Sequence, residues 1–185
     1  MPMTALFVID TQEELVSIPS TAIPDGARIC ETGTKILDRA RSKPTTELDI
    51  IVVQHSEDPA DPNSTLVPGS KAWDLVLPPR DGAGNEKVVH KTTADTFESN
   101  PNLANELQGR GISSIVAFGV QSEFCVRATC RGAINAGFDV ILLRGAHSTY
   151  NNDETGQSAE QIEKEVEQEL ESIGVKVVPW DQYEF

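Results

Sequence analysis

Asp10, Lys91 and Cys125 each stand where an apolar run gives way to a turn or a helix. Asp10 closes Ala5-Leu6-Phe7-Val8-Ile9, Lys91 follows Val88-Val89-His90, and Cys125 comes shortly after Ile115-Val116-Ala117-Phe118-Gly119. Ligands of open parallel sheets bind outside the carboxyl ends of the strands. Strands ending in an acid, an amine and a thiol therefore bring a base, a cation and a nucleophile to one edge, the equipment of thiol-mediated acyl transfer. A carboxylate can take the thiol proton, and an ammonium can keep that carboxylate ionised and oriented.

Each residue alone has a plainer reading. A free cysteine is usually a small buried hydrophobe, and Cys30 and Cys130, on inward helix faces, take that reading. A lone acid after a strand is often a helix cap, and a lone lysine is usually a solvated amine. Cys125 differs in lying at a strand, tight turn and helix start, Gly119-Val120-Gln121-Ser122-Glu123-Phe124-Cys125-Val126-Arg127. There the helix dipole and free backbone N–H groups are expected to favour thiolate and to hold an oxyanion.

The elements that must position these residues are legible as periodic runs. Apolar stretches recur at 5–9, 50–53, 87–90, 113–118, 139–143 and 175–178, with helical patterns in most gaps. Ile29, Gly33, Ile36, Leu37 and Ala40 share one helical face; Val126, Cys130, Ala133, Ile134 and Gly137 share another. Asn100-Pro101 reads as a cap followed by proline at the first helical position. Ser158 to Gln161 is a capping-box pattern, after which Ile162, Val166, Leu170 and Ile173 repeat. The acids between Asp153 and Glu171 read as a solvated helix. Continuous apolar strands alternating with helices predict a three-layer α/β/α fold with a mainly parallel, six-stranded central sheet. One domain spans 1–185, with no repeat and no linker. The irregular stretch from Pro59 to Glu86 leaves from His55 at the end of the second strand and reads as either a lid or a surface excursion.

Composition narrows the functions. A net charge of -14 argues against a nucleic-acid partner, which needs a clustered cationic face. No run approaches a membrane span, and no signal-like segment precedes the first strand. Three cysteines without CxxC spacing suggest neither a disulfide framework nor a zinc site, so a reducing, cytoplasmic setting is expected.

Leu6-Phe7-Val8-Ile9-Asp10-Thr11-Gln12, Lys91 with Phe97 six residues on, and the Gly119–Val126 segment together resemble the isochorismatase-like cysteine hydrolase superfamily. Ala133, Gly137 and Ala146-His147-Ser148 continue the match, which covers nearly the whole chain. The resemblance implies six parallel strands, Cys125 as nucleophile, Asp10 as base and Lys91 as the organising charge. It also implies a cis Val120–Gln121 peptide, with the N–H groups of Gln121 and Cys125 receiving the oxyanion. The expected reaction is hydrolysis of a C–N bond in a small amide, imide or ureide. Gln12, His55, Trp73, Phe97 and Phe124 are substrate-binding candidates, and a homo-oligomer, dimer or tetramer, is expected by analogy.

Two departures bear on the subgroup. Nicotinamidase members bind a metal through an Asp-x-His pair after the second strand and a further His. Here the segment is Gln54-His55-Ser56-Glu57-Asp58, so a non-nicotinamidase member needing no metal or other cofactor is expected. Gly145-Ala146 replaces the Asp-Ala of many members, which makes His147 structural rather than catalytic. Three other readings compete. Cys125 to Arg131 has the Cys-x5-Arg spacing of a phosphatase loop but no glycine within it. A receiver-like phosphorylation module would want acids where Ile9 and His55 stand. A non-catalytic binding or scaffold member of the same fold would not need the full Asp10, Lys91 and Cys125 set.

Overall fold

The computed structural model describes residues 3–185. Six strands form one sheet: β1 (Met3–Ile9), β2 (Leu48–His55), β3 (Glu86–Lys91), β4 (Ile112–Val120), β5 (Asp139–Ser148) and β6 (Lys176–Pro179). The order is β3-β2-β1-β4-β5-β6, and every neighbouring pair is parallel. Parallel strands need crossovers, supplied mainly by helices: α1 (Glu13–Val16), α2 (Gly26–Arg41), α3 (Thr96–Ser99), α4 (Leu103–Gly109), α5 (Arg127–Asn135) and α6 (Ala159–Ser172).

Strand alternation divides the core into two layers. Ala5, Phe7 and Ile9 of β1 face one side, beneath Leu107 of α4, Ala133 of α5 and Val166 of α6. Leu6 and Val8 face the other, against Ile36, Leu37 and Ala40 of α2, with Leu77 and the C-terminal Trp180, Tyr183 and Phe185 completing the cover. Strands buried on both faces explain the unbroken apolar runs. The capping box at Ser158 and Gln161 forms as expected and starts α6.

The start of α4 differs from expectation. The helix begins at Leu103, and Asn100 and Pro101 lie in the turn before it. The Asn100 amide donates to the carbonyls of His90 and Thr96, both at 3.0 Å, so it closes α3 instead of capping α4. The segment between β2 and β3 is partly tied down. Val76 N–H donates to Thr11 O, Glu13 N–H to Asp74 O and Glu14 N–H to Ala72 O, at 2.9–3.0 Å, which fastens 72–76 alongside 11–14.

The sheet changes winding direction between β1 and β4, the kind of position where open α/β sheets place ligands. The two strands meet closely there. A Cβ on Gly119, whose φ is +135°, would lie 2.1 Å from the Ile9 carbonyl oxygen, so only glycine fits. β4 then passes through Val120 and Gln121, joined by a cis peptide, into a five-residue π-helical turn (Ser122–Val126) ahead of α5. Single π turns recur at functional sites.

Candidate active site

Asp10 follows β1 with φ +50°, a left-handed conformation that aspartate tolerates better than most residues. Lys91 is the last residue of β3, His55 the last of β2, and Cys125 sits in the π turn after β4. Four strand ends thus converge at one edge. Asp10 and Lys91 are each only 1% exposed, so their charges are compensated almost entirely within the protein.

The Lys91 ammonium is the centre of the cluster. Its Nζ lies 2.7 Å from Asp10 Oδ2, 3.1 Å from Cys125 Sγ, 3.0 Å from His55 Nδ1 and 3.2 Å from the Thr93 carbonyl oxygen. An ammonium has three protons to share among these four neighbours. Oδ2 of Asp10 touches the ammonium, but neither carboxylate oxygen makes a well-directed hydrogen bond, so this pairing is mainly coulombic and leaves acceptor capacity on Asp10. Lysine cannot accept, so His55 must accept at Nδ1 and carry its own proton on Nε2. Burial, then the neighbouring Lys91 charge, push the His55 pKa down, consistent with that neutral ring.

Burial alone would lower the Lys91 pKa, but Asp10 and Cys125 outweigh it and hold the amine above its ordinary value. The Cys125 thiol is pushed up to about 12, first by burial and then by the Asp10 carboxylate, against the opposing pull of Lys91. This reverses the expectation that the helix start favours thiolate. The resting group is a neutral thiol, beside a carboxylate and an ammonium.

Asp10, Gln121 and Cys125 line a cavity of about 390 Å³, together with His55, Phe124 and Tyr150, a volume in the range of small-molecule sites. Of the five substrate-binding candidates, His55 and Phe124 reach it, and Phe124 is 56% exposed. The other three are drawn elsewhere. Gln12 is fully buried, its amide accepting from His55 N–H at 2.9 Å and donating to the carbonyls of His55 and Trp73. Trp73 stacks on His90 at 5.8 Å and donates from its indole to Ser56 Oγ. Phe97 packs between Phe7 and Phe138 in the core. All three hold the edge together without facing the cavity. Val120 is likewise buried, and only Gln121 of the cis pair lines the cavity.

The sequence reading missed part of the cavity wall and a second buried network. Glu14, Glu57 and Tyr150 also line the cavity. The available signal was position, since all three follow closely on strands β1, β2 and β5. Beneath the π turn, Ser122 Oγ lies 2.8 Å from His147 Nδ1, and His147 Nε2 lies 3.3 Å from Glu167 Oε1. Arg144 donates to Glu167 Oε2 at 2.8 Å. Burial would raise the Glu167 carboxyl, but hydrogen bonds from His147 and Arg144 hold it below its ordinary value. The acidic helix is therefore not uniformly solvated, because Glu167 turns inward.

Asp10, His55 and Cys125 offer three ligand atoms within 4.8 Å of one another, a spacing that could hold a metal ion. Lys91 Nζ contacts all three residues, so an ion held by them would sit beside an ammonium.

Comparison with known proteins places this geometry. The family model described as the isochorismatase domain matches residues 4–172. A streptothricin hydrolase from Streptomyces noursei is 35% identical over 150 residues, covering 81% of this chain and 56% of that protein. A second streptothricin hydrolase from that organism is also 35% identical, over 147 residues, covering 80% of this chain and 50% of its own length. The chain thus spans about half the length of these curated relatives. Among solved structures, an isochorismatase-like hydrolase from Alkaliphilus metalliredigens superposes with a TM-score of 0.81 at 25% identity, covering 98% of this chain and 94% of the other. N-carbamoylsarcosine amidase from Thermoplasma acidophilum gives a TM-score of 0.79 at 20% identity, with 99% of both chains covered. A pyrazinamidase of Pyrococcus horikoshii in complex with zinc gives 0.76 at 24% identity, covering 96% and 99%, and these last two likenesses speak to the fold. The chain belongs to the isochorismatase family of hydrolases.

Proposed function

We propose that this protein hydrolyses an amide-type C–N bond in a small molecule through a thioester on Cys125, without a metal. The observation that carries the reading is the contact of one buried ammonium with both a carboxylate and a thiol at the wall of a cavity. Relatives named as a streptothricin hydrolase and an N-carbamoylsarcosine amidase favour amide-type substrates.

In the proposed cycle, Asp10 takes the Cys125 proton as the sulfur attacks the substrate carbonyl, and Lys91 stabilises the developing thiolate. The N–H groups of Gln121 and Cys125 receive the carbonyl oxygen as it becomes an oxyanion. Collapse breaks the C–N bond while Asp10 returns its proton to the leaving nitrogen. Water then attacks the thioester, passing a proton to Asp10. That proton goes back to sulfur as the acid departs. The elevated thiol pKa suits this order, because proton transfer accompanies attack and no thiolate need preexist. The metal-free reading rests on Lys91: an ion among Asp10, His55 and Cys125 would face an ammonium already in contact with each.

The test is release of ammonia or amine from a panel of small amides by protein dialysed against EDTA, with mass spectrometry of trapped enzyme. Turnover with an acyl adduct on Cys125 supports the reading. Turnover only after zinc, iron or manganese is restored would overturn the metal-free part, and turnover by Cys125→Ala would overturn the thioester.

A further inference from the structure

We propose that the cavity selects substrates carrying a cationic group, an ammonium or guanidinium, on the same small molecule as the scissile bond. The inference rests on the proposed hydrolysis and specifies its substrate class. Two carboxylates, Glu14 and Glu57, line the cavity along with Asp10. Neither forms an ion pair among the described residues. Glu57 Oε2 accepts from the backbone N–H groups of Thr65 and Leu66, at 2.6 and 3.0 Å, which fixes the carboxylate in the wall.

No arginine or lysine lines the cavity. Lys91 is committed to Asp10, Cys125, His55 and the Thr93 carbonyl, and Arg127 and Arg131, in a neighbouring hollow that shares Ala94 and Phe124, both pair with Glu169. A substrate carboxylate would therefore meet two uncompensated negative charges with no cation free to receive it. A substrate ammonium would instead find both charges and two aromatic rings, Phe124 and Tyr150, whose faces attract cations. The 56% exposure of Phe124 leaves its ring open for such a contact. An adjoining hollow of about 690 Å³ shares His55 and Glu57 with the cavity. It adds Asp58 and Asp61 and again has no lysine or arginine in its lining. On that side of the cavity the carboxylates can draw in a cation and repel an anion.

Two matched series of primary amides test the proposal: glycinamide, propanamide and malonamate, and the longer ε-aminocaproamide, heptanamide and pimelamate. Within each series the members carry a cation, no charge and an anion. Two readouts are taken, ammonia release and protection of Cys125 from alkylation by iodoacetamide. In at least one series the cationic member should exceed the neutral one by about tenfold in kcat/KM and in protection, as expected of two partly shielded ion pairs. The anionic member should fall below the neutral one. Raising the salt concentration should narrow the spread. Glu14→Gln should shrink the cation preference to about threefold, the share of one remaining pair; Glu57→Gln provides a second variant should the first fail to fold.

Cationic members that protect Cys125 without being cleaved would sustain the charge selectivity while sinking amide hydrolysis. Cleavage indifferent to charge would do the reverse. An equal or inverted preference in both readouts, or neither cleavage nor protection by the cationic members, overturns the inference.

Discussion

Two networks of ionisable side chains surround the π turn that carries Cys125, and they differ in how fully their bonding is satisfied. The first gathers Asp10, His55 and Cys125 around the Lys91 ammonium at the wall of a cavity. Its carboxylate oxygens retain acceptor capacity, and its thiol retains a proton. The second runs from Ser122 through His147 to Glu167 and Arg144. Both imidazole nitrogens are engaged, and Ser122 and His147 are fully buried. Its Ser-His-acid composition would, by residue type alone, suggest a nucleophile system of its own. Satisfied groups without access to substrate supply rigidity. The Lys91 cluster instead keeps open acceptor positions on Asp10 at the wall of a cavity.

The contrast is most directly broken at the thiols. Cys125→Ala should reduce turnover by at least about 10³-fold while the midpoint of urea unfolding stays close to that of the parent. Cys130→Ala, one turn into the core-facing side of α5, should keep its turnover and lose about 1–2 kcal/mol of stability, because it leaves a small void. A Cys125→Ala protein that still turned over would remove Cys125 from the chemistry altogether.

Asp10→Asn comes next, with an expected loss of about 10²–10⁴-fold for a missing general base. It should also lower the pH at which Cys125 becomes alkylated, since burial and the Asp10 carboxylate raise the thiol pKa and Lys91 would remain to lower it. The pH profile of iodoacetamide labelling reads this directly. An unchanged or higher profile would mean that the Asp10 charge does not raise the thiol pKa.

In the second network, His147→Ala should cost about 1–3 kcal/mol of stability, because it strands Ser122 and Glu167 in the interior. Turnover at temperatures where the variant is folded should suffer far less than in Asp10→Asn. A loss as deep as that of Asp10→Asn in a fully stable variant would erase the distinction between the networks. Glu167 sharpens it least. Its folded pKa lies below the ordinary value, so it adds stability above the unfolded pKa of about 4.3 and loses it as pH falls through the folded value. In thermal melts, the stability gap between the parent and Glu167→Gln should therefore close below about pH 4. A gap that stays constant would show that the carboxylate charge contributes nothing.

The strand ends and the cluster were legible because each depends on local pattern: apolar runs set the strands, and the strands set Asp10, Lys91 and Cys125 at one edge. What escaped the sequence depends on contacts across long separations. Gln12 looked like a pocket residue from its place after Asp10, yet a carbonyl 61 residues away claims its amide. Phe97, six residues past Lys91, was claimed by Phe7 and Phe138. Asn100 was taken by α3 before it could cap α4. The thiol pKa also depended on burial, which residue order does not display, and this outweighed the pull of Lys91.

The fastening of 72–76 to 11–14 divides the β2–β3 segment into a fixed inner half and an outer arm, 57–70, whose backbone hydrogen bonds close mostly on themselves. The arm carries Glu57, Thr65 and Leu66 of the cavity wall, while Lys91 ends β3 and Cys125 sits in the π turn that follows β4. On the proposed reading, the chain thereby carries part of the recognition surface on a segment separate from the reactive residues. Exchanging 57–70 for an arm of different length or charge would re-tailor the cavity while the reactive cluster stayed in register, with Ser56 and Lys71 as the natural splice points.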